Sequence, residues 1–316
     1  MNAVNLIKPL LAVSFTALAL SNNALAHESL HDVKKAAFFT ALEANNTEAK
    51  SSLLTNRWKM ENLSAALLGA SYEDGSLGEG EQGKYDKDPL IRFDVFDCTT
   101  YIETVLAGAM SPSVNEFMPN LMKLRYKNGE VSFVARNHFP SKDWIPNNQD
   151  KLMDVTAQVA GDDLTIAKTV IDKPAWYSTM KADRLQCDDD SSDACQTLLS
   201  QLHAEGRAFR PESVEMPYVP LTALYLDTTN VNQALLDRIP SGSIINMVRP
   251  DWNIRKWIGT NMNVSHQSIA IRKGNQLFLR HASQTNKRVE DVGFLNYFAQ
   301  YDAKSSLKGF NVQVLR

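Results

Sequence analysis

Hydrophobic periodicity changes character once along this chain, and that change restricts its architecture more than any other feature. Up to about residue 110, apolar residues recur at helical spacing, with candidate helices over Val33–Ala44, Thr47–Met60 and Asn62–Ala70. A further helix over Thr99–Met110 would place Ile102, Val105, Leu106 and Ala109 on one face. From Tyr126 onward shorter runs take over, with strands expected in Glu130–His138, Gly161–Val170 and Gly242–Val248. The clearest hairpin joins Ser265–Arg272 to Gln276–Ala282 through Lys273-Gly274-Asn275. Helices first and strands later favour an α+β fold over a doubly wound one. No repeat or long polar linker divides the chain, so a helical lobe over 27–125 and a β-rich lobe over 126–316 are expected to form one unit.

The first residues stand apart. One cation in Met1–Lys8, an uncharged apolar run over Pro9–Leu20 and the small-x-small triplet Ala24-Leu25-Ala26 read as a secretory signal peptide over 1–26, cleaved after Ala26. The run is shorter than the roughly 20 residues that span a bilayer, and no later stretch is long and apolar enough for a membrane helix. A periplasmic or secreted location is therefore expected. With 33 Lys and Arg against 36 Asp and Glu, the net charge of −3 supplies no basic field for a phosphate backbone, which removes nucleic acid as the default partner.

Export makes an odd number of cysteines informative. Cys187 and Cys195 bracket a polar, acidic stretch that a local disulfide would staple, leaving Cys98 alone. A lone thiol is more often a small buried hydrophobe than a nucleophile, but the neighbours of Cys98 argue otherwise. Asp97 is a good N-cap, and the first residue of a helix meets unpaired N–H groups and the positive end of the helix dipole, which favour a thiolate.

Of the six histidines, His266 and His281 are paired by the hairpin and should lie close to opposite each other. His266 would share a face with Ser268 and Ala270, leaving room above it for a helix or a substrate. A thiol, an imidazole base and a polar group that orients the base are the parts of a cysteine hydrolase. Two hydrogen-bonded strand histidines without a catalytic role are an equal alternative on their own. Cys98, His266 and His281 could also supply three zinc ligands, although no H-E-x-x-H, C-x-x-C or H-x-H spacing accompanies them.

The segments Phe96-Asp97-Cys98-Thr99-Thr100-Tyr101-Ile102-Glu103, Arg136-Asn137-His138-Phe139-Pro140-Ser141-Lys142-Asp143-Trp144, Val264-Ser265-His266 and Leu279-Arg280-His281-Ala282-Ser283 together resemble the N-acetylmuramoyl-L-alanine amidase-like family. That family is similar to the NlpC-type, papain-like cysteine peptidases of bacterial cell walls. The resemblance implies a helical lobe carrying the nucleophile packed on an antiparallel, barrel-like β lobe. It also implies Cys98 as nucleophile, His266 as base and His281 as orienting residue, with no cofactor and no metal. Tyr72 would stand near the oxyanion, and Arg136, His138, Asp143 and Trp144 would line a cleft for peptidoglycan or muropeptides. The implied bond is the amide between N-acetylmuramic acid and L-alanine. The rivals are a D-glutamyl-diamino acid endopeptidase and, from another class, a non-catalytic wall-binding protein.

Overall fold

The computed structural model describes residues 30–46, 55–187, 189–227 and 230–316. The expected signal peptide and residues 47–54 of the second expected helix lie outside that range. Helix α1 covers residues 30–46. Where two helices were expected to meet near Met60, one continuous helix, α2 (Thr55–Ala66), runs through, because Glu61 and Asn62 offer no breaker. Helices α3 (Cys98–Met110) and α4 (Val114–Arg125) follow.

The apolar spacing of α3 buries nearly its whole length. Ile102, Val105 and Leu106 pack with Phe38 and Leu42 of α1, Met60 and Leu63 of α2 and Phe117 and Leu121 of α4. Gly108 permits the closest approach, since a Cβ there would lie 2.6 Å from the Phe38 ring. Truncating such a side chain to alanine in this core costs about 2–5 kcal/mol. A buried ion pair ties α3 to α4, with Arg125 Nε 2.7 Å from Glu103 Oε2.

Ten strands are found among the described residues: β1 (Ser71–Tyr72), β2 (Val95–Phe96), β3 (Leu152–Asp154), β4 (Thr165–Asp172), β5 (Pro211–Pro220), β6 (Ile244–Trp252), β7 (Met262–Lys273), β8 (Gln276–Ser283), β9 (Arg288–Gly293) and β10 (Gly309–Leu315). Their order is β2-β1-β9-β8-β7-β6-β10-β5-β4, with β3 on β10. The pairs are antiparallel except β1 with β2. The sheet curls as a half-barrel. Ala167 of β4 and Met216 and Tyr218 of β5 fold back onto Val248 of β6 and Val264 of β7.

Alternation along β7 sends Ile269 and Ile271 to the helices α1–α4. Ala270 goes to a second core, with Leu279, Phe294, Phe298 and Phe310. Both faces of the central strands are therefore covered, as an α+β layering requires.

The strand expected in Glu130–His138 does not form. Phe133 and Val134 occupy a turn, Val131 is exposed, and only Arg136 makes an isolated bridge, to Tyr126. Phe133 and Val134 are drawn instead to a cluster around Tyr177 and Leu185. The Gly161–Val170 expectation corresponds to β4, shifted toward its C-terminus, and Gly242–Val248 to β6.

Candidate active site

Asp97 caps α3 as a reciprocal box: its carboxylate accepts from the Thr100 N–H at 2.8 Å, and Thr100 Oγ1 accepts from the Asp97 N–H at 3.0 Å. Cys98 is thereby the first helical residue, and it is a free thiol. Its sulfur lies 3.9 Å from Thr99 Oγ1 and within the influence of the backbone N–H of Gln267, the neighbour of His266 on β7. Burial, with the Asp97 carboxylate adding to it, pushes the Cys98 thiol up to about 12, against the pull of the Gln267 N–H. The cap that places the sulfur also opposes its ionisation. Both effects favour the thiol, whereas the position at the start of the helix favours the thiolate.

His266 and His281 do meet, but diagonally. Ile269 stands opposite Arg280 in the ladder, so His281 falls two positions out of register with His266. His266 Nε2 lies 2.8 Å from His281 Nδ1, and the rings are nearly perpendicular at 86°. Burial, then the neighbouring His281, lowers His266 to about 3, so this imidazole is neutral and available as a base. His281 is also lowered by burial, opposed by Glu290, directly across the ladder, and by Asp291.

By alternation His266 shares a face of β7 with Ala270, and His281 a face of β8 with Leu279. That face is not open, as its small residues suggested. The short helix Phe294–Phe298 covers it, and the Tyr297 ring stacks on His266 (centroids 6.4 Å apart, 16° between planes) while meeting His281 edge-on at 5.7 Å. Tyr297 is also an electrostatic neighbour of Cys98. No local pattern marks Tyr297, because the contact depends wholly on the return of the chain after β9.

Tyr72 is carried to Cys98 by the parallel pairing of β1 with β2, in which it stands beside Phe96, two residues before the cysteine. Its hydroxyl is held protonated by burial, Asp74 and Cys98, in that order. A protonated phenol is a hydrogen-bond donor, as an oxyanion partner must be.

A cavity of about 700 Å³ opens beside this group, and Asp97 and Thr99, the neighbours of Cys98, form part of its wall. Arg136 and His138 line it as expected. Arg136 is not free, because its Nη1 lies 3.4 Å from Asp86 and 3.9 Å from Glu79. His138 Nε2 donates to the Phe133 carbonyl at 2.7 Å, and burial lowers this imidazole to about 3.

Asp143 and Trp144 do not reach the cavity. Asp143 pairs with Lys173 at 2.7 Å in a buried bridge, and Trp144 is fully buried with its Nε1 donating to Glu103 at 3.1 Å. Both side chains are engaged by internal partners, Lys173 and Glu103, so the expectation that they line the cleft is corrected. Cys187 and Cys195 are joined as a disulfide with their Cα atoms 6.0 Å apart.

The family model described as AmiA-like, N-acetylmuramoyl-L-alanine amidase-like, matches residues 62–304, a span that contains every cavity and site residue above. The chain belongs to this family. A relative of known structure, a Legionella pneumophila protein of the DUF1460 family model, is 33% identical, with a TM-score of 0.81 over 90% of this chain and 96% of that one. An N-acetylmuramoyl-L-alanine amidase from Bacteroides uniformis shares the fold at 22% identity and a TM-score of 0.58, over 83% of this chain and 99% of that one. No curated protein matches the AmiA-like chain. Among its described residues no helix is long and apolar enough to cross a membrane.

Proposed function

We propose that this amidase-like hydrolase is an exported cysteine enzyme of the NlpC-type, papain-like class, acting on peptidoglycan or its fragments at the N-acetylmuramoyl-L-alanine amide. The observation that carries the reading is the proximity of the Cys98 sulfur to the backbone of β7 beside a neutral His266, whose Nε2 is engaged by His281. If His281 Nδ1 accepts in that hydrogen bond, His266 is protonated at Nε2 and its Nδ1 lone pair is the base.

In this mechanism Nδ1 takes the Cys98 proton as sulfur attacks the amide carbonyl. The Cys98 N–H at the start of α3 and the Tyr72 hydroxyl receive the oxyanion. The imidazolium then protonates the departing L-alanine nitrogen, and water, deprotonated by the same nitrogen, releases the thioester. His281 keeps the ring of His266 in the reactive orientation throughout. Cleavage of residues 1–26 as a signal peptide would deliver the chain to the wall and to an oxidising compartment, in which Cys187–Cys195 forms.

Incubation of the purified chain with defined muropeptides, followed by mass spectrometry, tests the reading. A free L-alanine amine among the products identifies the proposed bond. Release at D-glutamate identifies the endopeptidase instead. Cys98→Ala and His266→Ala should both abolish turnover, and hydrolysis that survives Cys98→Ala would sink the mechanism.

A further inference from the structure

One wall of the cavity takes no part in this chemistry. It is built from Trp257 and from the segment 179–186. Trp257 is 70% exposed although indole is among the most costly side chains to leave in water. Its backbone is fixed all the same. It sits in the helical turn Arg255–Ile258, closed by Gly259 in the left-handed region at φ 77° with its N–H bonded to the Arg255 carbonyl. Gly259 lies so near the chain leading into the other wall segment that a Cβ would come within 2.6 Å of the Ala175 carbonyl and 2.9 Å of Thr179. At its far end that segment is anchored by Leu185, 2% exposed, and by the Cys187–Cys195 disulfide.

Resting on the hydrolase reading above, we infer that this wall is a saccharide subsite, with the indole of Trp257 stacked on a pyranose ring of the glycan part of the substrate. A pyranose turns axial C–H groups to one face and hydroxyls to its rim, so it needs a flat electron-rich surface with donors and acceptors around it. Thr179, Lys181, Asp183, Arg184 and Gln186 supply both signs and both hydrogen-bonding senses along the same wall. That mixture suits a neutral polyhydroxylated ligand better than a polyanion, a polycation or a lipid surface. A stem peptide offers no apolar ring face for the indole.

The test uses the Cys98→Ala chain, which cannot turn over, in calorimetric titrations with a peptide-free N-acetylglucosamine tetramer and separately with a glycan-free L-Ala-γ-D-Glu-L-Lys peptide. The tetramer should bind. Adding Trp257→Ala should weaken that binding by about tenfold or more, while Trp257→Phe keeps most of it and peptide affinity is unchanged. Because Trp257 is exposed, its replacement leaves the core intact, which a thermal melt verifies. In otherwise wild-type enzyme Trp257→Ala should raise KM for glycan-bearing muropeptides with kcat retained. Failure of the tetramer to bind, or binding indifferent to Trp257, overturns the subsite even if muropeptides are hydrolysed. Trp257-dependent saccharide binding without any hydrolysis overturns the enzymatic reading and leaves the subsite standing.

Discussion

His266 Nε2 and His281 Nδ1 are 2.8 Å apart, held diagonally across neighbouring strands with their rings at 86°. In the proposed mechanism this contact leaves Nδ1 of His266 for the thiol. His281→Ala should therefore lower kcat by about a hundredfold with KM little changed, since a mis-oriented base loses much of what general base catalysis provides. His281→Asn, whose carbonyl can accept from Nε2, should recover part of the loss. Equal kinetics for wild type and His281→Ala would remove His281 from the mechanism.

The Cys98 thiol, pushed up by burial and Asp97 to about 12, should be a slow nucleophile in the free enzyme. Its alkylation by iodoacetamide is expected to rise roughly tenfold per pH unit through the neutral and mildly alkaline range, following the thiolate fraction. A rate already at plateau in mild acid would show a preformed thiolate–imidazolium pair.

Tyr297 covers the bond between the two histidines, and a hydrogen bond screened from water by a ring is stronger than one in contact with it. The ring, not the hydroxyl, does this. Tyr297→Phe should stay within about twofold of wild type in kcat, and Tyr297→Ala should lose about tenfold or more and shift the acidic limb of the rate profile upward, as His266 becomes easier to protonate.

Glu79, behind Arg136, is raised to about 7 chiefly by burial and next by Asp86. The folded state thus holds this proton more tightly than the unfolded chain. The associated stability is present below the unfolded value of 4.5 and is lost as pH rises toward 7. Glu79→Gln should stabilise the fold by about 1–3 kcal/mol at pH 8 and have little effect near pH 4. Melting curves at the two pH values read the difference directly, and an equal effect at both would contradict the assignment.

What could be read from the sequence was local. Asp97 before Cys98 is a cap wherever the helix lands, and the turn at Gly274 pairs β7 with β8 by chain connectivity alone. What could not be read depended on distant partners. Trp144 resembled a cleft residue until Glu103, on α3, was seen to take its indole N–H at 3.1 Å. Phe133 and Val134 imitated part of a strand although their burial serves a side-chain cluster and not a ladder. Tyr297 stands over the histidines through pairings that no spacing within its own helix encodes.

The position of β10 has a consequence for how the molecule comes into being. This strand follows every other described strand in the chain, yet it lies inside the sheet, between β6 and β5, and also pairs with β3. Until residue 315 is available, no strand ladder joins β5 and β4 to the strands that bear the histidines, and side-chain packing of Ala167, Met216 and Tyr218 on Val248 and Val264 holds the two parts together. The sheet can close only after these residues have left the ribosome, through contacts of long sequence separation that form slowly. The hairpins that carry the histidines can therefore pair through short turns before β5 and β4 are joined to them.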